Sequence, residues 1–210
     1  MKKTLLQVRD LDIGHKEKKL YTSVSFDINE GDCIMLCGAN GSGKTTLMKA
    51  LAASSELICM IPTRIPKVKG FTTEEFIRLG CDGHDVTEAA EILGLCKLLN
   101  QDISTLSDGE FQKACISIAL AKKASIILLD EPTAFLDAEN RRAVLLCLNK
   151  LCNTESPAPS VIFSTHDLHE AQAVCNKVIA LGADGIFRCT EKDIPEAVDT
   201  IFSSSKRDWI

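Results

Sequence analysis

One stretch governs the interpretation of the chain, Gly38-Ala39-Asn40-Gly41-Ser42-Gly43-Lys44-Thr45-Thr46. It fits the pattern G-x-x-x-x-G-K-[ST], which is typical of phosphate-binding loops. Glycines permit the tight curl that points successive backbone N–H groups at phosphate oxygens. The apolar run before the stretch predicts a buried strand, and the residues after it predict a helix whose N-terminus adds partial positive charge.

The loop side chains predict how a nucleotide is held. Lys44 is expected to reach the β- and γ-phosphates, and the hydroxyl of Thr45 to ligate Mg²⁺. The alternative, a glycine-rich turn that binds nothing, is disfavoured because the whole pattern and both flanks agree. The expected phosphate-binding residues are Asn40, Gly41, Ser42, Gly43, Lys44, Thr45 and Thr46.

Length and composition fit a single α/β domain over residues 1–210, of which 45% are apolar. The net charge of −5 argues against a general nucleic-acid surface. No apolar run approaches the roughly 18 residues of a membrane span. We therefore expect a cytoplasmic protein. Its ten cysteines are expected to be reduced and packed as small apolar side chains rather than to form a metal cluster.

Alternation of apolar runs with helical patterns predicts a mainly parallel sheet flanked by helices. Residues 5–30 precede this alternation and predict two or three strands, since Val24, Phe26 and Ile28 alternate with polar residues.

A helical subdomain is predicted over residues 63–105. Thr72-Thr73-Glu74-Glu75 fits a capping box that starts a helix, with Phe76, Ile77 and Leu79 as its apolar face. A second helix is predicted over residues 85–99, and a last helix of the chain near residues 191–202. The expected buried stripe of the second helix is Val86, Ala89, Ala90, Leu93 and Leu95.

Three polar side chains follow apolar strands at the sheet edge where ligands bind in open α/β folds. Asp130 and Glu131 end one apolar run, and His166 follows another. Asp130 would hold Mg²⁺ through water, and Glu131 would orient or deprotonate the attacking water. His166 would donate a hydrogen bond to the γ-phosphate, although a histidine after a strand is by itself more often a surface residue.

Leu106-Ser107-Asp108-Gly109-Glu110 completes a set of motifs. Together with the phosphate loop, the Asp130–Glu131 pair, residues 133–137 and His166, it resembles the ATP-binding-cassette (ABC) ATPases along nearly the whole chain. The resemblance implies a P-loop NTPase core with a mainly parallel sheet, N-terminal antiparallel strands and a short helical insert. It also implies hydrolysis of ATP to ADP and phosphate. Within the family, the chain looks most like the ATPase subunits of iron–siderophore, haem and cobalamin importers.

The resemblance also implies a head-to-tail dimer, formed with a second copy of the chain or with a related cassette, with ATP between the subunits. Ser107, the Gly109 amide and Glu110 would contact ATP held by the second subunit, and Asp137 would lie at the interface. His15 stands where the family often has an aromatic residue that stacks on adenine. The resemblance assigns the remaining contacts with ATP to the residues of the phosphate loop.

The chain departs from the family pattern in three places. Asp108 replaces a glycine of the signature, and Pro62-Thr63 stands where the family usually has a glutamine that reaches the metal and the attacking water. Thr63 keeps a hydroxyl but has a shorter reach. The stretch between Lys44 and Thr63 is also short, so a β-hairpin arm is expected to be trimmed.

The leading functional interpretation is an ATP hydrolase that powers a separate membrane permease from the inner face of the membrane, with no nucleic-acid partner. Alternatives are an exporter ATPase, or a soluble cassette ATPase that serves iron–sulfur assembly. A third is a nucleotide-sensing module with little turnover, against which Glu131 argues. Neighbouring genes for a permease and a binding protein would separate import from export, and the cargo is not encoded in this chain's motifs.

Overall fold

The computed structural model describes residues 2–15, 18–154, 156–182 and 187–190. In chain order the elements are β1 (Thr4–His15), β2 (Lys18–Asn29), β3 (Cys33–Gly38), α1 (Lys44–Ser54), β4 (Ile58–Ile61), α2 (Thr73–Gly80), α3 (Thr87–Leu93), α4 (Asp108–Ala121), β5 (Ile126–Leu129), α5 (Ala138–Cys152), β6 (Ser160–Ser164), α6 (Leu168–Gln172), β7 (Lys177–Leu181) and β8 (Phe187–Thr190). The helix predicted near residues 191–202 lies outside the described residues.

The central sheet has the strand order β4-β5-β6-β3-β7-β8. The neighbours from β4 to β7 pair in parallel, and β8 pairs antiparallel with β7. Strands β3, β5, β6 and β7 are buried along their whole length, as expected for strands covered on both faces. The predicted mainly parallel sheet is confirmed, and the carboxyl ends of β5, β6 and β3 lie side by side.

Strand β3 supplies both cores of the molecule because successive side chains of a strand point to opposite faces. Cys33, Met35 and Cys37 belong to the core that contains the buried faces of α4 and α5. Ile34 and Leu36 belong to the other core, which packs under α1 and the β1–β2 pair.

Strands β1 and β2 form a separate antiparallel pair. The predicted alternation is confirmed, since Val24, Phe26 and Ile28 are all buried. The region contains two long strands. Their apolar face packs against α1, which carries the phosphate loop at its start.

The segment between β4 and α4 is helical, as predicted. Thr72 and Glu75 form the predicted capping box: Glu75 N donates to Thr72 Oγ1 at 3.2 Å, and Thr72 N donates to Glu75 Oε2 at 2.8 Å. The predicted second helix is shorter than expected, because α3 ends at Gly94 in a left-handed conformation. A 3-10 helix, Cys96–Leu98, follows it. The five residues predicted as the buried stripe of the second helix are all buried.

Leu79 corrects one prediction for α2. Ile77 is fully buried and Phe76 is half-buried, but the Leu79 side chain is 66% exposed. Residues two apart on a helix point to nearly opposite sides, so Leu79 cannot share the inward face of Ile77. It therefore adds an apolar group to the surface.

Two expectations from composition have outcomes in the described part of the chain. The cysteines are free, and most of them are buried or half-buried. Among the described residues, none of the helices is both long and apolar enough to cross a membrane.

Candidate active site

The phosphate loop joins β3 to α1 and is shaped by its glycines. Gly38, Gly41 and Gly43 have φ angles of 154°, 78° and 98°. At Gly38 a Cβ would lie 2.6 Å from both Leu181 O and Ser42 Oγ, so a side chain there would displace the loop. Gly43 supplies no side-chain cap to α1. The first backbone N–H groups of α1 therefore stay available to a ligand.

Ser42 carries an unsatisfied polar atom within the loop. Its hydroxyl oxygen is buried and has no hydrogen-bond partner among the described residues. A buried hydroxyl without a partner is costly, and a phosphate oxygen would satisfy it. The loop therefore fits the phosphate group that the sequence predicts.

Lys44 begins α1 and is buried beneath the loop. Its Nζ donates to the carbonyl oxygens of Gly38 at 2.8 Å and Ala39 at 3.1 Å. Burial lowers the pKa of Lys44, and the carboxylates of Glu131 and Asp130 oppose that shift. The cation is thus held at the loop and close to the two acidic side chains.

Asp130 joins the phosphate loop to the ends of two strands. Its Oδ2 accepts a hydrogen bond from the Thr45 hydroxyl at 2.8 Å, and its Oδ1 accepts one from the Ser164 hydroxyl at 2.8 Å. Both carboxylate oxygens are thereby fixed in a buried position. Thr45 and Asp130, the two residues predicted to hold Mg²⁺, are thus in direct contact. Ser164, the last residue of β6, was not among the predicted site residues.

Glu131 and His166 meet at the same edge. Nε2 of His166 lies 2.8 Å from Oε1 of Glu131, a hydrogen bond between side chains 35 positions apart. The backbone N–H of Glu131 donates to Ser164 Oγ at 2.8 Å. Glu131 has a φ of 51°, a region that few non-glycine residues adopt and that is enriched at functional sites. The side chains of Glu131 and His166 are 30% and 51% exposed, so solvent water reaches them.

Arg141 links α5 to the loop that carries His166, a contact that sequence reasoning missed. Its Nη1 lies 2.7 Å from Oδ2 of Asp167, the residue after His166. Asp137 caps α5 by accepting from Asn140 N at 2.8 Å. The sequence does show opposite charges at Asp167, directly after His166, and at Arg141, one turn into α5. Their pairing, however, depends on how α5 packs against α6.

The signature motif forms the start of α4. Ser107 and Glu110 make a capping box, in which Ser107 N donates to Glu110 Oε2 at 2.9 Å and Glu110 N donates to Ser107 Oγ at 3.3 Å. The hydrogen bonds from Ser107 lower the pKa of Glu110. Gly109 packs directly on α5, since a Cβ there would overlap the amide oxygen of Asn140. A side chain at position 109 would therefore have to displace Asn140.

Two predicted positions lie beside this arrangement. Thr63 lines a cavity of about 510 Å³ between the loop after β4, α4 and the segment before α5. In its wall Arg64 lies 5.1 Å from the ring centre of Phe135.

The backbone of His15 pairs with Lys18 at the end of β1. The side chain of His15 lies outside the described part of the structure, so its stacking role stays a prediction.

The donor set of the site suits Mg²⁺. The described residues contain no group of three or more His, Cys, Asp and Glu side chains able to hold a metal ion. Thr45 and Asp130 provide a hydroxyl and a carboxylate, the hard oxygen donors that Mg²⁺ prefers. Mg²⁺ is commonly bound by one or two such side chains together with substrate phosphates and water. These two residues fit that arrangement.

Comparison with known proteins decides the family. The family model described as ABC transporter matches residues 21–58 and 57–134, more than half of the chain. The chain is 30% identical over 210 residues to an aliphatic sulfonates import ATP-binding protein of Pseudomonas syringae pv. syringae, covering 93% of this chain and 76% of the relative. The chain belongs to the ABC transporter family.

Further relatives within the ABC family carry different import names. A zinc import ATP-binding protein of Anaplasma phagocytophilum is 28% identical, with coverage of 92% of this chain and 86% of the relative. A cobalamin import ATP-binding protein of Halobacterium salinarum is 28% identical, with coverage of 93% and 56%. The chain is thus an ABC-type ATPase that binds ATP.

A solved structure supports the same fold for this ABC ATPase. A metal-chelate type ABC transporter in an inward-facing conformation matches with a TM-score of 0.82 and 25% identity, covering 95% of this chain and 89% of that one. The predicted fold class, an α/β P-loop core with N-terminal antiparallel strands and a helical insert, is confirmed.

Proposed function

We propose that this ABC ATPase is the ATP-hydrolysing subunit of an importer and powers a separate membrane permease. One observation carries the catalytic part of the proposal. A continuous hydrogen-bond chain runs from Thr45 through Asp130, Ser164 and Glu131 to His166, beside the buried ammonium of Lys44. It places a cation, two metal-type oxygen donors and a candidate base at one sheet edge.

Each side chain in this chain has a distinct task in the proposed reaction. The loop residues from Asn40 to Thr46 hold the phosphates of ATP, with Lys44 against the β- and γ-phosphates. Mg²⁺, when held by Thr45 and Asp130, would neutralise charge on the phosphates. Glu131 accepts a proton from the attacking water, and His166 holds the Glu131 carboxylate in place and faces the γ-phosphate. Fixed positions and charges supply the catalysis.

A second copy of the chain is the proposed partner at the nucleotide. The start of α4 is a rigid, positively polarised helix end in which Ser107, Gly109 and Glu110 are fixed by the capping box and by contact with α5. In the head-to-tail dimer this end meets the γ-phosphate bound to the other subunit. Asp137, which caps the neighbouring helix α5, lies at the same interface.

An apolar groove is the proposed docking site for the permease. It has a volume of about 520 Å³ and lies between the loop after β4, α2 and α4. Its rim exposes Leu79, Val68 and Phe71 at 66%, 42% and 38%, values that are high for large apolar side chains. An apolar helix end of a membrane subunit fits such a groove. This would bring the chain to the inner face of the membrane.

The cargo is proposed to be an iron complex, haem or cobalamin. The motif resemblance, the cobalamin-import relative and the metal-chelate transporter support this class. Other relatives carry zinc and sulfonate names, so the cargo assignment depends on the permease. The relatives named above are import proteins, which favours import over the alternative of an exporter ATPase.

Calorimetry on Lys44→Ala tests the nucleotide site. Removing the ammonium under the loop is expected to lower ATP affinity at least about tenfold, or about 1.4 kcal/mol. Lys49→Ala is the matched control, because Lys49 is exposed on the same helix. Unchanged affinity in Lys44→Ala would contradict the site assignment.

The importer assignment needs a second experiment. The chain is purified together with a candidate permease, and candidate cargoes are screened by ATPase stimulation in the presence of a candidate binding protein. Stimulation by iron chelates, haem or cobalamin supports import of that class. Stimulation by substrates added to the cytoplasmic side would favour the exporter.

A further inference from the structure

The signature end of α4 carries an unusual negative charge. Asp108 stands between Ser107 and Gly109, the residues proposed to meet the γ-phosphate of the partner's ATP, and its side chain is 65% exposed. Glu110 lies in the same turn, but its carboxylate is engaged by the Ser107 hydroxyl and backbone N–H. The Asp108 carboxylate is thus a second anion at a surface that must accept ATP.

Lys67 reaches this carboxylate from another element. Its Nζ lies 2.7 Å from Asp108 Oδ1 and donates to the carbonyl oxygen of Leu106 at 2.7 Å. Its ammonium also lies 5.4 Å from the ring centre of Phe111, within the range of a cation–π contact. The Lys67 side chain is only 26% exposed, so three contacts hold one cation against the start of α4.

We propose that Lys67 neutralises Asp108 and thereby lets the signature end of α4 accept the γ-phosphate of ATP bound to a second copy. The inference rests on the proposed dimer. A carboxylate at a helix N-terminus is favourable for the isolated helix but repels a polyphosphate that approaches the same end. Lys67 is a positioning residue, because it acts on the approaching ATP through Asp108.

A purely structural role for the pair predicts a different pattern of mutants. If Lys67 only fastened the loop after β4 to α4, its loss would be equally harmful whether or not residue 108 is charged. If Lys67 compensates the charge of Asp108, loss of Lys67 is harmful only while Asp108 remains charged. Asp108→Asn should then be harmless alone and should rescue the Lys67 variant.

The test compares Lys67→Met, Asp108→Asn and the double variant, each with Glu131→Gln so that hydrolysis does not consume the ATP. Lys67→Gln is a second charge-removing variant that can still donate to Leu106 O. The control is Lys122→Met, which breaks the 3.0 Å Lys122–Asp82 pair at the other end of α4. Light scattering against ATP–Mg²⁺ concentration gives the ATP concentration for half-maximal dimer.

Lys67→Met and Lys67→Gln are expected to raise that concentration roughly threefold at low ionic strength, the usual scale of one charge at a helix end. The shift should shrink at high salt, because the groups are partly exposed. In chains with native Glu131, KM for ATP should rise while kcat changes little. The double variant and Lys122→Met should match the parent, and Asp108→Asn, which leaves the Lys67 charge uncompensated, should match the parent or need less ATP.

Two results would overturn the inference alone: a parent-like Lys67→Met, or an Asp108→Asn as impaired as Lys67→Met. A Glu131→Gln parent that stays monomeric at saturating ATP would overturn the dimer as well. Rescue by Asp108→Asn supports charge compensation, because a structural link cannot be restored by removing its second partner.

Discussion

At the scale of single residues, the Ser164 hydroxyl contacts both acidic residues that follow β5. It donates to Asp130 Oδ1 and accepts from Glu131 N, both at 2.8 Å. One buried group therefore fixes the metal-side carboxylate and the backbone of the candidate base together. This explains why a polar residue follows the apolar residues 161–163 at the carboxyl end of β6.

Ser164→Ala should lower hydrolysis about tenfold, since about 1.4 kcal/mol of barrier corresponds to one well-placed hydrogen bond. ATP affinity should change little, because the phosphate loop is untouched. Ser160→Ala is the control: Ser160 starts the same strand and donates to Asn29 O. Steady-state ATPase rates and ATP calorimetry measure both effects. Equal rates for the two variants would show that Ser164 serves only the fold.

Thr63 tests how the chain works without the usual glutamine. The side chain is β-branched and short, and it follows Pro62, so its reach is small. It lies in the cavity wall next to Arg64. Thr63→Ala is therefore expected to keep basal hydrolysis within about threefold, or roughly 0.7 kcal/mol of barrier. A hundredfold basal loss would mean that the hydroxyl does the work of the glutamine.

At the scale of elements, substitutions in the apolar groove beside α2 are expected to lower permease-stimulated ATPase activity but not basal activity. Leu79→Ser and Phe71→Ser remove exposed apolar contacts without touching the sheet edge. Permease-stimulated turnover should fall about tenfold, the effect of losing roughly 1.4 kcal/mol of apolar burial on docking. Basal turnover should stay unchanged. Leu146→Ser on α5, 53% exposed, is the control. Unchanged stimulation in Leu79→Ser and Phe71→Ser would place the permease elsewhere.

Elements also show what the sequence could and could not predict. The phosphate loop, Asp130, Glu131 and His166 were predictable because each follows an apolar strand, and parallel strands bring their carboxyl ends to one edge. Ser164 and the Lys67–Asp108 pair were missed because no motif marks them, and only the packing of elements 34 and 41 positions apart creates their contacts. Leu79 was wrongly placed inside because helix geometry, rather than apolarity, sets the buried face.

At the scale of the whole molecule, the sheet order explains how one edge gathers the site. Strand β3 lies beside β6, and β6 lies beside β5, so the phosphate loop, the His166 loop and the Asp130–Glu131 turn are neighbours. The signature motif starts α4 and packs against α5 rather than completing this edge through any described hydrogen bond to the phosphate loop. A second copy is the proposed source of that missing side.

Glu131→Gln tests this account most directly. The substitution keeps the shape of the side chain and removes the base, so hydrolysis should nearly stop while ATP still binds and holds two chains together. Glu91→Gln, an exposed change on α3, is the control and should hydrolyse ATP like the parent. Light scattering with ATP–Mg²⁺ and steady-state ATPase rates are measured on the same samples. We predict an inactive Glu131→Gln dimer; full ATPase activity in Glu131→Gln, or a monomer at saturating ATP, would contradict the account.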